Sequence, residues 1–265
     1  MKVVVQKFGG TSVADLQCMQ QVQAKVQRKL DQGYKVVVVL SAMAGETDRL
    51  LKMAREWSDN PNPCELDVLL TTGEQISVSL FAMLLQNNGI KARSLLGFQI
   101  PIHTDPSYGR ARLLDIDAEN LHDLMQRFNV LVVAGFQGCD CNNYLTTLGR
   151  GGSDTSAVAL AAALQAEVCE IYTDVNGVYT TDPNICPQAR KLPKIAYDEM
   201  LEMSSMGAKV LQIRSVEFAK KFNVPVHVRS TFSAEAGTLL VQEDEDMEAV
   251  LVSGIAYDKD QARVT

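Results

Sequence analysis

Short apolar runs, each closed by glycine or polar residues and followed by a helical pattern, constrain this chain more than any other feature. Residues 3–5, 36–40 and 130–134 are continuous apolar segments, and 168–172 is a similar run interrupted by Glu170; all are too short for independent helices. A strand that is apolar at every position is buried on both faces, as in a parallel sheet covered by helices. Between these runs the period changes. Leu16, Met19, Val22, Val26 and Leu30 recur at helical spacing and stop before Gly33. The same reasoning predicts helices near 47–57, from about 75 to 86, and over 117–128, 153–165, 197–204 and 208–221. Short strands are expected within 92–116 and over 224–229 and 238–241, with a hairpin around Asn142-Asn143 and a long loop over 173–193. The expected fold class is α/β, a mainly parallel central sheet sandwiched by helices, in two lobes.

At 265 residues and 46% hydrophobic, the chain can bury a sizeable core. Its net charge of -7 argues against wrapping nucleic acid or coating an anionic membrane. No uninterrupted apolar run approaches the roughly 20 residues of a membrane span. The apolar part of the N-terminus is too short for a signal peptide. Six cysteines form no Cys-x-x-Cys pair, which fits reduced thiols and a cytoplasmic location. No residue is assigned as a metal ligand.

Five polar motifs follow strands or open helices, where open α/β sheets bind their ligands. Lys7-Phe8-Gly9-Gly10-Thr11-Ser12 follows the first strand. Its glycines can expose backbone amides to an anion beside the Lys7 ammonium, with a helix expected directly after. It matches neither the P-loop nor the dinucleotide fingerprint. Read by itself, it is equally a tight structural turn. Leu148-Gly149-Arg150-Gly151-Gly152-Ser153-Asp154-Thr155 opens the alanine-rich helix, with Ser153 or Asp154 as its expected cap. Arg150 offers a fork suited to a carboxylate.

Thr71-Thr72-Gly73-Glu74-Gln75 is expected to put Glu74 in a first helical turn. There it either favours the helix dipole or meets a substrate ammonium. The segment from Tyr172 through Asp182-Pro183 is either a surface loop or a nucleoside-binding one. Lys209, at an expected helix start, is either an exposed helical lysine or a second phosphate-binding cation.

Together these segments, with Ser41-Ala42-Met43, resemble the aspartokinase members of the amino-acid kinase family, in the family's order and over nearly the whole chain. The resemblance implies ATP-dependent phosphorylation of the side-chain carboxylate of L-aspartate. That is the first step toward lysine, threonine and methionine. It implies Lys7 and Lys209 flanking the transferring phosphoryl group; from charge type alone, Asp154 or Asp174 would orient a lysine. Lys7, Phe8, Gly9, Gly10, Ser41, Thr173, Asp174, Tyr179, Asp182, Asn184, Lys209 and Val210 would bind ATP, with Mg²⁺ carried by the nucleotide. Thr47, Glu74, Arg150, Gly151, Gly152 and Ser153 would hold aspartate.

It further implies a homodimer. The catalytic domain would span 1–245, with an amino-acid lobe over about 1–165 and an ATP lobe over 166–245. Residues 246–265 would be a linker and the start of a regulatory ACT module; without the rest of that module, no inhibition by lysine or threonine is expected. Asn184 departs from the arginine many relatives carry. The rivals on the same fold are a sister kinase with another carboxylate acceptor and a non-catalytic amino-acid or nucleotide sensor. A nicotinamide oxidoreductase fails for want of its glycine fingerprint.

Overall fold

The computed structural model describes residues 1–206, 210–243 and 254. The alternating pattern becomes β1 (Val3–Phe8), α1 (Leu16–Asp31), β2 (Lys35–Leu40), α2 (Glu46–Trp57), α3 (Pro63–Asn87), β3 (Ala92–Leu95), β4 (Ile102–Thr104), β5 (Leu113–Ile116), α4 (Ala118–Arg127), β6 (Val130–Ala134), β7 (Gln137–Cys139) and β8 (Leu145–Thr147). There follow α5 (Gly152–Ala163), β9 (Val168–Thr173), β10 (Lys194–Ala196), α6 (Tyr197–Ser205), α7 (Ile213–Phe222), β11 (Val226–Ser230) and β12 (Thr238–Val241).

Eight strands form one sheet in the order β10-β12-β11-β9-β1-β2-β6-β3, parallel except at the β11–β12 pair. A second sheet, β5-β4-β7-β8, carries the expected hairpin, with Asn143 at φ 64° in its turn. The short β10 was not expected. Its three residues are too few to show a period against the surrounding prolines.

β1 lies at the centre, between β2 and β9. Side chains alternate across a strand. Val3 and Val5 therefore enter the core formed with α4–α7, whereas Val4 and Phe8 enter the core under α1 and α3. This alternation sends Lys7 to the α5 side and Gln6 to the α1 side.

Four local expectations are corrected. A single 3₁₀ turn over Gly10–Val13 separates β1 from α1, and Asp15 caps α1 by accepting from Cys18 N–H. Helix α3 begins at Pro63, well before Glu74 would open a new one: Asn62 caps it and Pro63 occupies its first turn. Helix α5 is capped by Gly151 at φ 73°, so Ser153 and Asp154 lie within its first turn. Helix α7 starts at Ile213, which leaves Val210 in the turn before it; Lys209 lies outside the described residues.

By length and composition α3 could cross a membrane, with a mean hydropathy of 1.6. In this fold half of that window is buried, and the helix packs on the sheet.

On the α1 face, Glu170 of β9 is fully buried. It accepts from Gln6 Nε2 at 2.8 Å and Tyr172 Oη at 3.1 Å, and pairs with Lys29 at 2.9 Å and Arg229 at 3.3 Å. Burial alone would raise its carboxyl; the hydrogen bonds from Gln6 and Lys29 and the charges of Lys29 and Arg229 outweigh this and hold it below the ordinary carboxylate value. Because the folded value is depressed, its stabilisation is present above the carboxylate range and is lost as pH falls through the folded value. Glu170→Ala strands two cations and an amide, and should cost about 3 kcal/mol at pH 7. Urea unfolding of the two proteins measures this, and the gap should narrow on acidification.

Candidate active site

The carboxyl ends of β1 and β2 and the N-terminus of α5 converge on a cleft of about 420 Å³. It is lined by Lys7, Gly9, Gly10, the segment 41–45, Thr47, Asp48, Glu74, Phe136 and the segment 149–154. Eleven expected site residues therefore meet in one place: Lys7, Gly9, Gly10, Ser41, Thr47, Glu74, Arg150, Gly151, Gly152, Ser153 and Asp154.

At the centre Lys7 Nζ lies 2.7 Å from Asp154 Oδ1, both side chains mostly screened from solvent. Of the two aspartates weighed as partners for a lysine, Asp154 is the one in contact with Lys7. The pair joins the glycine turn after β1 to the glycine turn before α5.

Glu74 enters from below. A Cβ on Gly73 would stand 2.8 Å from the Ala42 methyl, so only glycine lets α3 press against the loop after β2. That contact brings Glu74 Oε1 to Ala42 N–H at 2.9 Å, and Ser77 donates to the Ser41 carbonyl at 2.8 Å. The other oxygen of Glu74, Oε2, is buried without a hydrogen-bond partner among the described residues. Burial raises the carboxyl from its ordinary 4.5 to about 7, against the lowering effect of the Ala42 amide. A buried carboxylate oxygen with no donor, at the floor of a cleft, suits a cationic ligand group such as an ammonium.

Arg150 stands exposed at the rim, on a loop held from several sides. Leu148 N–H donates to the Phe136 carbonyl at 2.8 Å. Buried Asp67 of α3 accepts from Gly109 N–H and from both the amide and hydroxyl of Thr147. Phe136, at φ 68°, and Asp48 also line the cleft and were missed. Phe136 follows a buried strand, and that placement was its only legible signal.

Other expected residues lie elsewhere. Phe8 is fully buried and stacked on Tyr172 with ring centroids 4.6 Å apart, so its side chain offers nothing to a ligand; its carbonyl accepts from Ser41 N–H. The continuous apolar strand forces this, since residue 8 shares the face of Val4. Thr173 ends β9, and Asp174, Tyr179, Asp182 and Asn184 sit along the loop after it, all outside the lining of the cleft. Thr173 Oγ1 donates to Asp174, and Asp182 accepts from Asn184 N–H. The loop begins beside the first glycine turn. Thr231 N–H donates to the Thr173 carbonyl, and the Thr231 hydroxyl shares a 2.6 Å hydrogen bond with Ser12. Val210 precedes α7.

The sequence pattern of the amino acid kinase family matches residues 2–230. An aspartate kinase of Pseudomonas putida is 53% identical over 266 residues, covering all of this chain and 65% of that protein. The chain thus spans just under two thirds of that relative's length. Among solved structures, aspartate kinase from Synechocystis superposes with a TM-score of 0.81 at 46% identity, covering 91% of this chain and 40% of that one. Escherichia coli aspartokinase III in complex with aspartate and ADP gives 0.81 at 31% identity, covering 92% and 66%.

The raised Glu74 value has a definite sign. Between about pH 4.5 and 7 the folded chain holds a proton the unfolded chain has released, so stability falls as pH rises through that window. The loss is about 3 kcal/mol at 1.4 kcal/mol per pH unit. Glu74→Gln should flatten this slope and raise stability at pH 8. Thermal midpoints of both proteins at pH 5 and pH 8 test it, and an unchanged slope contradicts the assignment.

Proposed function

This chain belongs to the amino acid kinase family, and from that premise we propose that it transfers the γ-phosphoryl group of ATP to the side-chain carboxylate of L-aspartate, giving 4-phospho-L-aspartate and ADP. The observation that carries the reading is one cleft uniting an amide-lined turn, the Lys7–Asp154 pair, an orphaned Glu74 oxygen and the Arg150 fork. The relatives' names agree with it, and one neighbour's structure holds aspartate and ADP.

The division of labour follows from charge. Glu74 takes the amino-acid ammonium, whose arrival favours the ionised carboxylate and restores a partner to Oε2. Arg150 grips the α-carboxylate, with Thr47, Gly151, Gly152 and Ser153 closing the pocket. The β-carboxylate is already ionised at neutral pH, so no strong base is required. One of its oxygens bonds to the γ-phosphorus as the bond to the bridging β,γ-oxygen breaks in line, and the electron pair leaves with ADP.

Lys7 lies between the two glycine turns and offsets the charge that spreads over the transferring group. Asp154 holds its ammonium in place until the phosphates arrive. Gly9, Gly10 and Ser41 offer backbone amides to the phosphates. On the motif alone, Lys209 is the second cation. Thr173, Asp174, Tyr179, Asp182, Asn184 and Val210 form the nucleoside side, and Mg²⁺ enters with ATP. The chain works as a homodimer in the cytoplasm, in the biosynthesis of aspartate-derived amino acids.

The direct test is ATP-dependent formation of aspartyl hydroxamate when this chain is incubated with aspartate, MgATP and hydroxylamine. Activity should be selective for aspartate over glutamate and acetylglutamate. Lys7→Ala should lower kcat by about 10²–10³-fold while the protein remains folded, since it removes stabilisation that matters most in the transition state. Near-normal turnover in that variant would contradict the role of Lys7.

A further inference from the structure

The geometry points to Arg214 as a positioning residue that couples the amino-acid side of the cleft to the nucleotide side; this inference rests on the function proposed above. Arg214 lies in the first turn of α7, a few residues beyond Val210. Its Nη1 donates to the Leu148 carbonyl at 2.6 Å, and its Nη2 donates to the Ala111 carbonyl at 3.0 Å. A cation in the first turn of a helix opposes the helix dipole, so its placement there needs another source of stabilisation. The two carbonyls supply it, through short charge-assisted bonds to a planar fork.

Both carbonyls belong to the frame of the Arg150 loop. Leu148 stands two residues before Arg150. Ala111 N–H donates to the Thr147 carbonyl, and the neighbouring Gly109 backs onto Gly149, where a Cβ would stand 3.0 Å from the Gly109 carbonyl. A second grip comes from the same segment. Gly151 sits at φ 73°, and a Cβ there would lie 2.0 Å from Gln212 Cγ, so the Gln212 side chain packs directly on the loop backbone. Gln212 and Arg214 thus hold the loop that carries Arg150 from the chain that leads out of the nucleotide side.

Neither residue lines the cleft. Their effect must therefore pass through the loop. A ligand that bears on Val210 also bears on the carbonyl frame of Arg150 through α7, and the reverse holds by linkage. Arg214 is a route by which bound nucleotide tightens aspartate binding, without touching either ligand.

The experiment is calorimetric titration of aspartate into this chain, with and without a saturating non-hydrolysable ATP analogue and Mg²⁺. In the wild type, nucleotide should tighten aspartate binding at least about fivefold. In Arg214→Ala that factor should fall close to one, with the analogue's own affinity changed less than about threefold. Arg214→Lys, which keeps the charge but can reach one carbonyl, should give an intermediate factor and serves where the alanine variant does not fold. A simple structural role lowers the thermal midpoint and leaves the coupling factor intact. An unchanged factor in a folded variant, or no coupling in the wild type, overturns the inference while leaving the proposed function standing. A wild-type chain that binds no aspartate refutes both.

Discussion

The ion pair between Lys7 and Asp154 joins two structures the chain builds far apart. Lys7 ends the central strand and Asp154 sits in the first turn of α5; 146 residues lie between them in sequence, yet their charged atoms are 2.7 Å apart. The pair forms because β1 alternates its side chains. Val3, Val5 and Lys7 share the face on which α5 packs, and the strand ends where that helix begins. Two positive or two negative groups could not share so enclosed a place, and a lone ammonium there would face a large desolvation cost. The carboxylate lets a cation sit mostly screened from solvent within the cleft. The contact ties the two glycine turns together.

The opposite face of the same sheet carries a matching device. Gln6, one residue before Lys7, points to the α1 side and binds Glu170, which gathers Lys29, Arg229 and Tyr172. Adjacent residues of one strand thus anchor two unrelated polar networks, one structural and one open to ligand. Glu74 differs from both. It is a buried carboxylate served by one backbone amide, and its second oxygen is buried with no hydrogen-bond partner among the described residues. Such an unsatisfied group is costly in the empty protein. A cationic group placed against that oxygen would recover the cost.

Much of the fold was legible because burial on both faces leaves a plain mark on strands. Val36–Val39 and Val130–Val133 admit few other readings, and helices α1, α2 and α4 show their apolar stripe. Helix α3 was misread at Thr-Thr-Gly-Glu. Glycine and threonine usually interrupt helices, and here Gly73 serves a contact with Ala42 that local sequence does not reveal. The start signals at Asn62 and Pro63 were present and outweighed by that apparent break. Phe8 was expected to bind ATP along with the rest of its motif, although its parity with Val4 already sends its side chain into the core.

From sequence alone came the layered α/β class, the two glycine turns and the residue types able to handle anions, because periodicity and local turn chemistry are properties of neighbours along the chain. Only the tertiary structure decided that Asp154 partners Lys7, that Glu74 projects from mid-helix with an oxygen unpaired, and that Arg214 braces the Arg150 loop. Each of these depends on which strand lies beside which, and on how closely two backbones approach. Those are long-range distances that no local pattern of residues encodes.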